Sequence, residues 1–314
     1  MLSPLEQSIF KTLHYFALRE MPLTPEEVFY YLWQPPKDTT LGVVEDSLER
    51  LAAAGQLSHK NGFYFLNGRE ADFDRRRRAV VPSDQKLKRA RSAARWIAAV
   101  PFIRAILVGN SVAAGTASDD SDIDFVIIAE GGRIWIVRFF TNLILRLLGR
   151  RRFGDKVKNR ICLSFFVDTK HLNLAPWRVA SDDPHAAYWL HQLTSLYDPF
   201  GYHERFVDMN TWTKQYIPNC QTELEIATPP LKNTSFGRRW KEMWEKMWQG
   251  SYGDMIENQM RGVQEALNWP LLKSGDTKPE GVLIAPGFLR LYGSDLPRQL
   301  WNEWKAATQT INQK

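Results

Sequence analysis

The sequence predicts an α/β (α+β) protein: a small mixed β-sheet core, preceded by a small helix-rich N-terminal domain and followed by an α-helical region. Three observations carry this. Ile106-Leu-Val108 and Phe125-Val-Ile-Ile128 are short apolar runs separated by a small-residue loop, the shape strand, turn, short helix, loop, strand. A third apolar run, Ile161-Cys-Leu-Ser-Phe-Phe-Val167, adds a later strand. Helical periodicity dominates both flanks.

Taken in order, residues 4–19 carry apolar positions at helical spacing (Leu5, Ile9, Leu13, Phe16). Thr24-Pro25-Glu26-Glu27 is a helix start, with a capping hydroxyl, Pro at the first position and acids in the first turn. A third helix from about Leu41 to Ala54 places Val44, Leu48 and Leu51 on one face and stops at Gly55. Asn61-Gly62 between Leu57-Ser-His-Lys60 and Phe63-Tyr-Phe-Leu66 is a hairpin turn. Three helices and a hairpin in residues 1–70 resemble a winged helix-turn-helix. The third helix carries Glu45, Asp46 and Glu49 against Arg50 alone, so phosphate would be repelled there. Protein contacts or substrate shaping are expected of this module rather than DNA reading. Tyr30, Tyr31 and Trp33 serve either such contacts or the core.

Residues 71–100 form a basic linker and helix, broken at Val80-Val-Pro82 and helical from Lys86 to Val100. The span 75–104 holds ten Lys or Arg and one acid, Asp84, so it carries +9 of a chain whose net charge is +6, and the remainder is near −3. A positive surface for polyphosphate or nucleic acid, centred on 75–95, is one reading, and a solvated helix face is the other.

Two cysteines, Cys162 and Cys220, give no disulfide framework, and Cys162 within its apolar run is expected in the core. The first residues lack a basic segment followed by an apolar one, so no signal peptide is expected. A cytoplasmic location is expected. Ile134–Leu148 is apolar but too short to span a bilayer. Arg138, Asn142 and Arg146 form one narrow polar stripe on it, the pattern of a helix buried across a sheet. Arg150-Arg-Arg152, directly after it, keeps an interfacial helix as the rival. Further on, helices are expected over 186–197 and 237–268 and from Leu296, with 218–236 as a boundary and 281–292 extended or looped. Trp240, Trp244 and Trp248 at helical spacing make a packing face.

The chemistry concentrates at one place. Asp122 and Asp124, at i and i+2 entering a strand, project from the same face and repel unless a divalent cation takes both. The alternative is a polar loop-to-strand junction, since Ser118-Asp-Asp-Ser-Asp122 is turn-like by itself. Asp124, flanked by Ile123 and Phe125, needs a partner or a metal. Gly109, Asn110 and Ser111, in the loop before, let amides and a hydroxyl approach phosphate oxygens. No histidine spacing, Walker motif or dinucleotide fingerprint adds another cofactor site.

Residues 106–128 resemble the signature of the polymerase-β-like nucleotidyltransferase superfamily, in which a strand and Gly-Ser precede a short helix and Asp-x-Asp on the next strand. A weaker overall similarity to bacterial nucleotidyltransferase-domain proteins runs from roughly 100 to 220. The Gly-Ser pair is split here into Gly109-Asn110-Ser111, so either Asn110 or Ser111 takes the serine's place. The resemblance implies transfer of a nucleoside monophosphate from an NTP to an acceptor. Asp122 and Asp124 would hold Mg²⁺ or Mn²⁺, and Gly109, Asn110 and Ser111 would bind the β- and γ-phosphates. Lys156, Lys158 or Arg160 would steady pyrophosphate. The superfamily's third carboxylate has no counterpart inside 161–167, which leaves Asp168 as its candidate. The nucleotidyltransferase core is expected over 101–217 and the helical region over 218–314. Two alternatives accompany this reading: an inactive nucleotide sensor whose winged-helix module contacts a partner, and a nucleic-acid-binding protein using the basic segment.

Overall fold

The computed structural model describes residues 2–221, 229–232, 234–266, 281–292, 295–309 and 311. Its mixed α/β character is as expected, 54% helical and 15% strand. The first 70 residues hold α1 (Pro4–Leu18), α2 (Pro25–Tyr30), α3 (Leu41–Ala53) and the hairpin β1 (Ser58–Lys60)–β2 (Phe63–Phe65). Ser3 with Glu6 and Thr24 with Glu27 close capping boxes on α1 and α2. Asn61 and Gly62 both take positive φ (50° and 81°), the backbone that a two-residue hairpin turn requires. The core of this module is not closed on itself. Tyr188, Tyr216, Ile217 and Trp304, all from far along the chain, complete it. Trp33 stacks on Tyr216 at 4.8 Å, and the Tyr188 hydroxyl donates to the carbonyl of Tyr31 at 3.0 Å. Trp33 and Tyr31 are therefore core, and partly exposed Tyr30 donates its hydroxyl to the Cys220 carbonyl.

The next 28 residues differ from expectation. One continuous helix, α4 (Glu70–Ile97), runs straight through Pro82. A proline inside a helix costs roughly 3 kcal/mol through its missing N–H and its ring. Here Phe73, Ala79, Ala90, Ala94 and Ile97 are all buried along the helix and outweigh that. Arg75 and Arg76 are neutralised by Glu20 and Glu27, so the first part of the basic run is spent on holding α4 to the N-terminal module.

Then come β3 (Ile103–Val108), α5 (Asn110–Ala113), β4 (Ile123–Ala129), α6 (Ile134–Leu147), β5 (Ile161–Asp168), α7 (Pro184–Gln192), β6 (Thr194–Tyr197), α8 (Tyr202–Asp208), α9 (Ser235–Met247), α10 (Gly250–Ala266), β7 (Val282–Ala285), β8 (Phe288–Leu291) and α11 (Leu296–Gln309). Among the described residues, six strands make one sheet in the order β6-β3-β4-β5-β8-β7, and of its strand pairs only β4–β5 is parallel. That pair is a βαβ unit with α6 as the crossover, so both strands start at the same end of the sheet.

Two expectations are corrected here. The helix expected over 186–197 ends at Gln192, and Thr194–Tyr197 becomes the edge strand β6. The helix expected over 237–268 is two helices, broken at Gly250 with φ 60°. Residues 281–292, expected to be extended or looped, are extended, and 282–291 supplies a hairpin to the central sheet within the otherwise helical region. One face of the sheet packs against α4, α6 and α10, and the other against α7, α8 and the segment around Leu172 and Leu174. Two of the three residues in the polar stripe of α6 are buried: Arg138 donates to Gln264 of α10 at 2.9 Å, and Asn142 accepts from Arg151 Nε at 2.7 Å, while Arg146 is exposed. No helix among the described residues is long and apolar enough to cross a membrane.

Candidate metal and phosphate site

Gly109 directly follows β3, and its N–H donates to the Asp124 carbonyl at 3.0 Å. A Cβ at this position would meet a Leu193 methyl at 3.1 Å and the Trp189 indole nitrogen at 3.4 Å, so glycine fits where a side chain is crowded. Asn110 follows with φ 54°, a conformation Asn tolerates, and turns the chain into α5. From there its Nδ2 donates to Asp124 Oδ2 at 2.8 Å. The predicted strand–turn–helix–strand is thus present, and it aims the turn at Asp124.

Asp122 lies one residue before β4, and Asp124 lies within it, on the sheet face that also carries Val126 and Ile128. Because β4 and β5 are parallel and in register, Asp124 pairs with Cys162. Ligand atoms of Asp122, Asp124 and Cys162 all lie within 4.8 Å of one another. Burial pushes the Asp124 carboxyl up to about 6, with the neighbouring Asp122 charge adding to it and the Asn110 hydrogen bond opposing. Burial also pushes the Cys162 thiol up to about 12, assisted by Asp124 and then Asp122. Unbalanced negative charge at a half-buried site is the condition a bound cation relieves.

Cations already approach. Arg152 Nη1 donates to Asp122 Oδ2 at 2.6 Å. Lys86 is buried and donates its three N–H bonds to the carbonyls of Asp119 (3.1 Å) and Ser121 (2.8 Å) and to Asn159 Oδ1 (2.8 Å). It clamps the loop that delivers Asp122 against the entry to β5.

Asp168 does not join the cluster. It pairs with Ala129 at the far end of β5, about 20 Å along a strand rising roughly 3.3 Å per residue. There it is buried and accepts from the N–H groups of Gly132 (3.0 Å) and Lys170 (2.9 Å), with His171 Nδ1 at 2.7 Å. Its role is to hold the β4–α6 turn and the end of β5. The strand position beside the aspartates belongs to Cys162. Lys158 pairs with Asp120 at 3.1 Å, while Lys156 is exposed in the turn that follows Phe153, and neither has a hydrogen bond or ion pair to Asp122 or Asp124. Arg152 occupies the place expected of them. Ser111 sits half-buried in the first turn of α5.

Two participants were not singled out from sequence. Cys162 looked like core, and only the strand register reveals its neighbours. Arg152 looked like part of a helix flank. Its signal was present: three arginines between the crossover helix and the strand beside Asp-x-Asp. Comparisons with models of known families, with characterised proteins and with solved structures returned no match.

Proposed function

We propose that this chain is a metal-dependent nucleotidyltransferase that moves a nucleoside monophosphate from an NTP to an acceptor. The observation that carries the reading is the convergence of Asp122, Asp124 and Asn110 where β3 ends and β4 begins, in the order and spacing the resemblance implies. Asp122, Asp124 and Cys162 would hold the divalent cation, which supplies charge neutralisation on the triphosphate when bound. Gly109, Asn110 and Ser111 form the turn against which the β- and γ-phosphates would rest. Arg152, free to exchange Asp122 for a phosphate oxygen, is the side chain best placed to steady pyrophosphate as it leaves. An acceptor oxygen forms the new bond to the α-phosphorus while the bridge to pyrophosphate breaks, and the acceptor's proton passes to solvent or to a carboxylate.

A second reading is favoured by a specific observation. With a thiol rather than a third carboxylate beside the two aspartates, the site lacks a further carboxylate to accept that proton. Such a site suits binding of NTP without turnover.

The test is incubation with each α-labelled NTP and Mg²⁺ or Mn²⁺, with and without cell extract, beside an Asp122→Ala/Asp124→Ala control. Label reaching an acceptor, and lost in the control, supports transfer. Metal-dependent NTP binding without transfer supports the sensor. Neither transfer nor binding overturns both.

A further inference from the structure

On the opposite face of the same sheet end lies a cleft of about 610 Å³. Lys88 and Arg89 of α4 form one wall, and Arg150, Lys158 and Arg160 from the α6–β5 connection form the other. These five cations come from two segments some 60 residues apart in sequence, so the basic helix contributes only half of the feature. Counter-charge is sparse. Asp84 reaches Lys88 at 2.7 Å and Asp120 reaches Lys158 at 3.1 Å, both at exposed pairs that solvent screens. Arg150 donates to Ser92 Oγ at 2.9 Å across the cleft, and Arg89 and Arg160 form no salt bridge among the described residues. A concave site with this excess of positive charge selects a polyanion.

Each of the two segments that line the cleft also carries an exposed aromatic outside the lining itself. Trp96 lies one helical turn beyond Ser92 on α4 and is 56% exposed, and Phe153, between Arg150 and Lys158, is 69% exposed. Core packing accounts for neither. A basic groove flanked by stacking surfaces is what an unpaired polynucleotide needs: phosphates in the groove, bases against rings. A duplex buries its base faces and would leave both rings unused.

We propose that this cleft binds single-stranded nucleic acid. The inference rests on the cleft alone and not on nucleotide transfer, although the carbonyl of Arg160 accepts from Ile123 N–H at 2.9 Å, so the cleft and the aspartates share a wall.

The experiment is fluorescence anisotropy with labelled oligouridylate and oligodeoxythymidylate, in EDTA and without NTP, over a salt series. The expected result is binding that weakens with salt at a log–log slope of about −2 to −3.5, from three to five phosphate contacts. Arg89→Glu/Arg160→Glu should weaken it at least tenfold, as should the milder Arg89→Gln/Arg160→Gln if the reversal fails to fold. Trp96→Ala should cost about tenfold. Arg77→Glu/Arg78→Glu, on the exposed far end of the same helix, should leave it unchanged. Absence of oligonucleotide binding, equal loss in the Arg77/Arg78 variant, or binding only to inorganic polyphosphate or to phosphatidylserine vesicles would each overturn the proposal. Since EDTA and the lack of NTP silence any transfer, failure here and failure of the transferase reading are separate results.

Discussion

Cys162 lies directly across the parallel β4–β5 ladder from Asp124, with its sulfur in ligand reach of both aspartates. The relationship follows from the crossover. A βαβ unit starts both strands at one end of the sheet, so whatever residue enters β5 second must face the residue that enters β4 second. In this chain that residue is a thiol. Two hard carboxylate oxygens and one soft sulfur define a site of mixed character, unlike an all-oxygen site suited to Mg²⁺.

Metal preference should report this. Thermal unfolding of the wild-type protein should shift upward more with Zn²⁺ or Mn²⁺ than with equimolar Mg²⁺. A ligand at a hundred times its Kd stabilises by about 2.7 kcal/mol, which such a scan resolves. Cys162→Ser should erase most of the Zn²⁺ advantage and leave the Mg²⁺ shift in place. Equal shifts for the three ions in the wild type would show that the thiol is no ligand.

Asp124→Asn should behave differently with and without metal. In EDTA the substitution removes a buried charge facing a like charge, while the amide oxygen still accepts from Asn110. The protein should then gain about 1 kcal/mol, or roughly 1.5 °C in Tm for a chain of 314 residues. With metal present, the wild type should overtake the variant. A variant less stable than wild type in EDTA would mean that the carboxylate's hydrogen bond outweighs the repulsion.

Local chemistry made part of this site legible in the sequence, and long-range register hid the rest. Gly109, Asn110 and the Asp-x-Asp pair are close in sequence, and their conformation is set by residue type: glycine where a Cβ is crowded, asparagine at positive φ, apolar residues around Asp124. The Asn61-Gly62 hairpin and the Thr24-Pro25 helix start are local in the same sense. Cys162 could not be placed because its partner lies across a crossover. Thr194–Tyr197 and Val282–Leu291 become strands only because β3 and β5 present open edges to them. Asp168 closes an apolar run, and a parallel strand carries that end away from the aspartates.

Lys86 ties the loop before Asp122 to the entry of β5 through three acceptors. Lys86→Met keeps the buried stem and removes the ammonium, leaving the Asp119 and Ser121 carbonyls and Asn159 without their donor. Hydrogen bonds to a charged group are worth about 1.5–3 kcal/mol, and buried acceptors left unpaired add to the loss. Denaturant unfolding should show a loss of about 3 kcal/mol, and metal affinity should fall with it because Asp122 is no longer positioned. A variant that loses stability but keeps full metal affinity would confine Lys86 to the fold.

Glu257 gives the protein a pH dependence of its own. Its carboxylate accepts from the N–H groups of Trp135 and Ile136 at 2.8 and 2.9 Å in the first turn of α6, yet burial pushes it from its ordinary 4.5 up to about 7, with Asp168 adding to the rise and the two amides and Arg133 opposing. The folded state therefore holds this proton more tightly than the unfolded chain. The associated stability is fully present below about pH 4.5 and is lost as pH rises through 7. Glu257→Gln cannot titrate, so the difference in unfolding free energy between wild type and variant should fall steadily from pH 5 to 7 and level off above it. A difference that instead grows with pH would show that the helix-end amides hold Glu257 as a carboxylate and that their hydrogen bonds outweigh its burial.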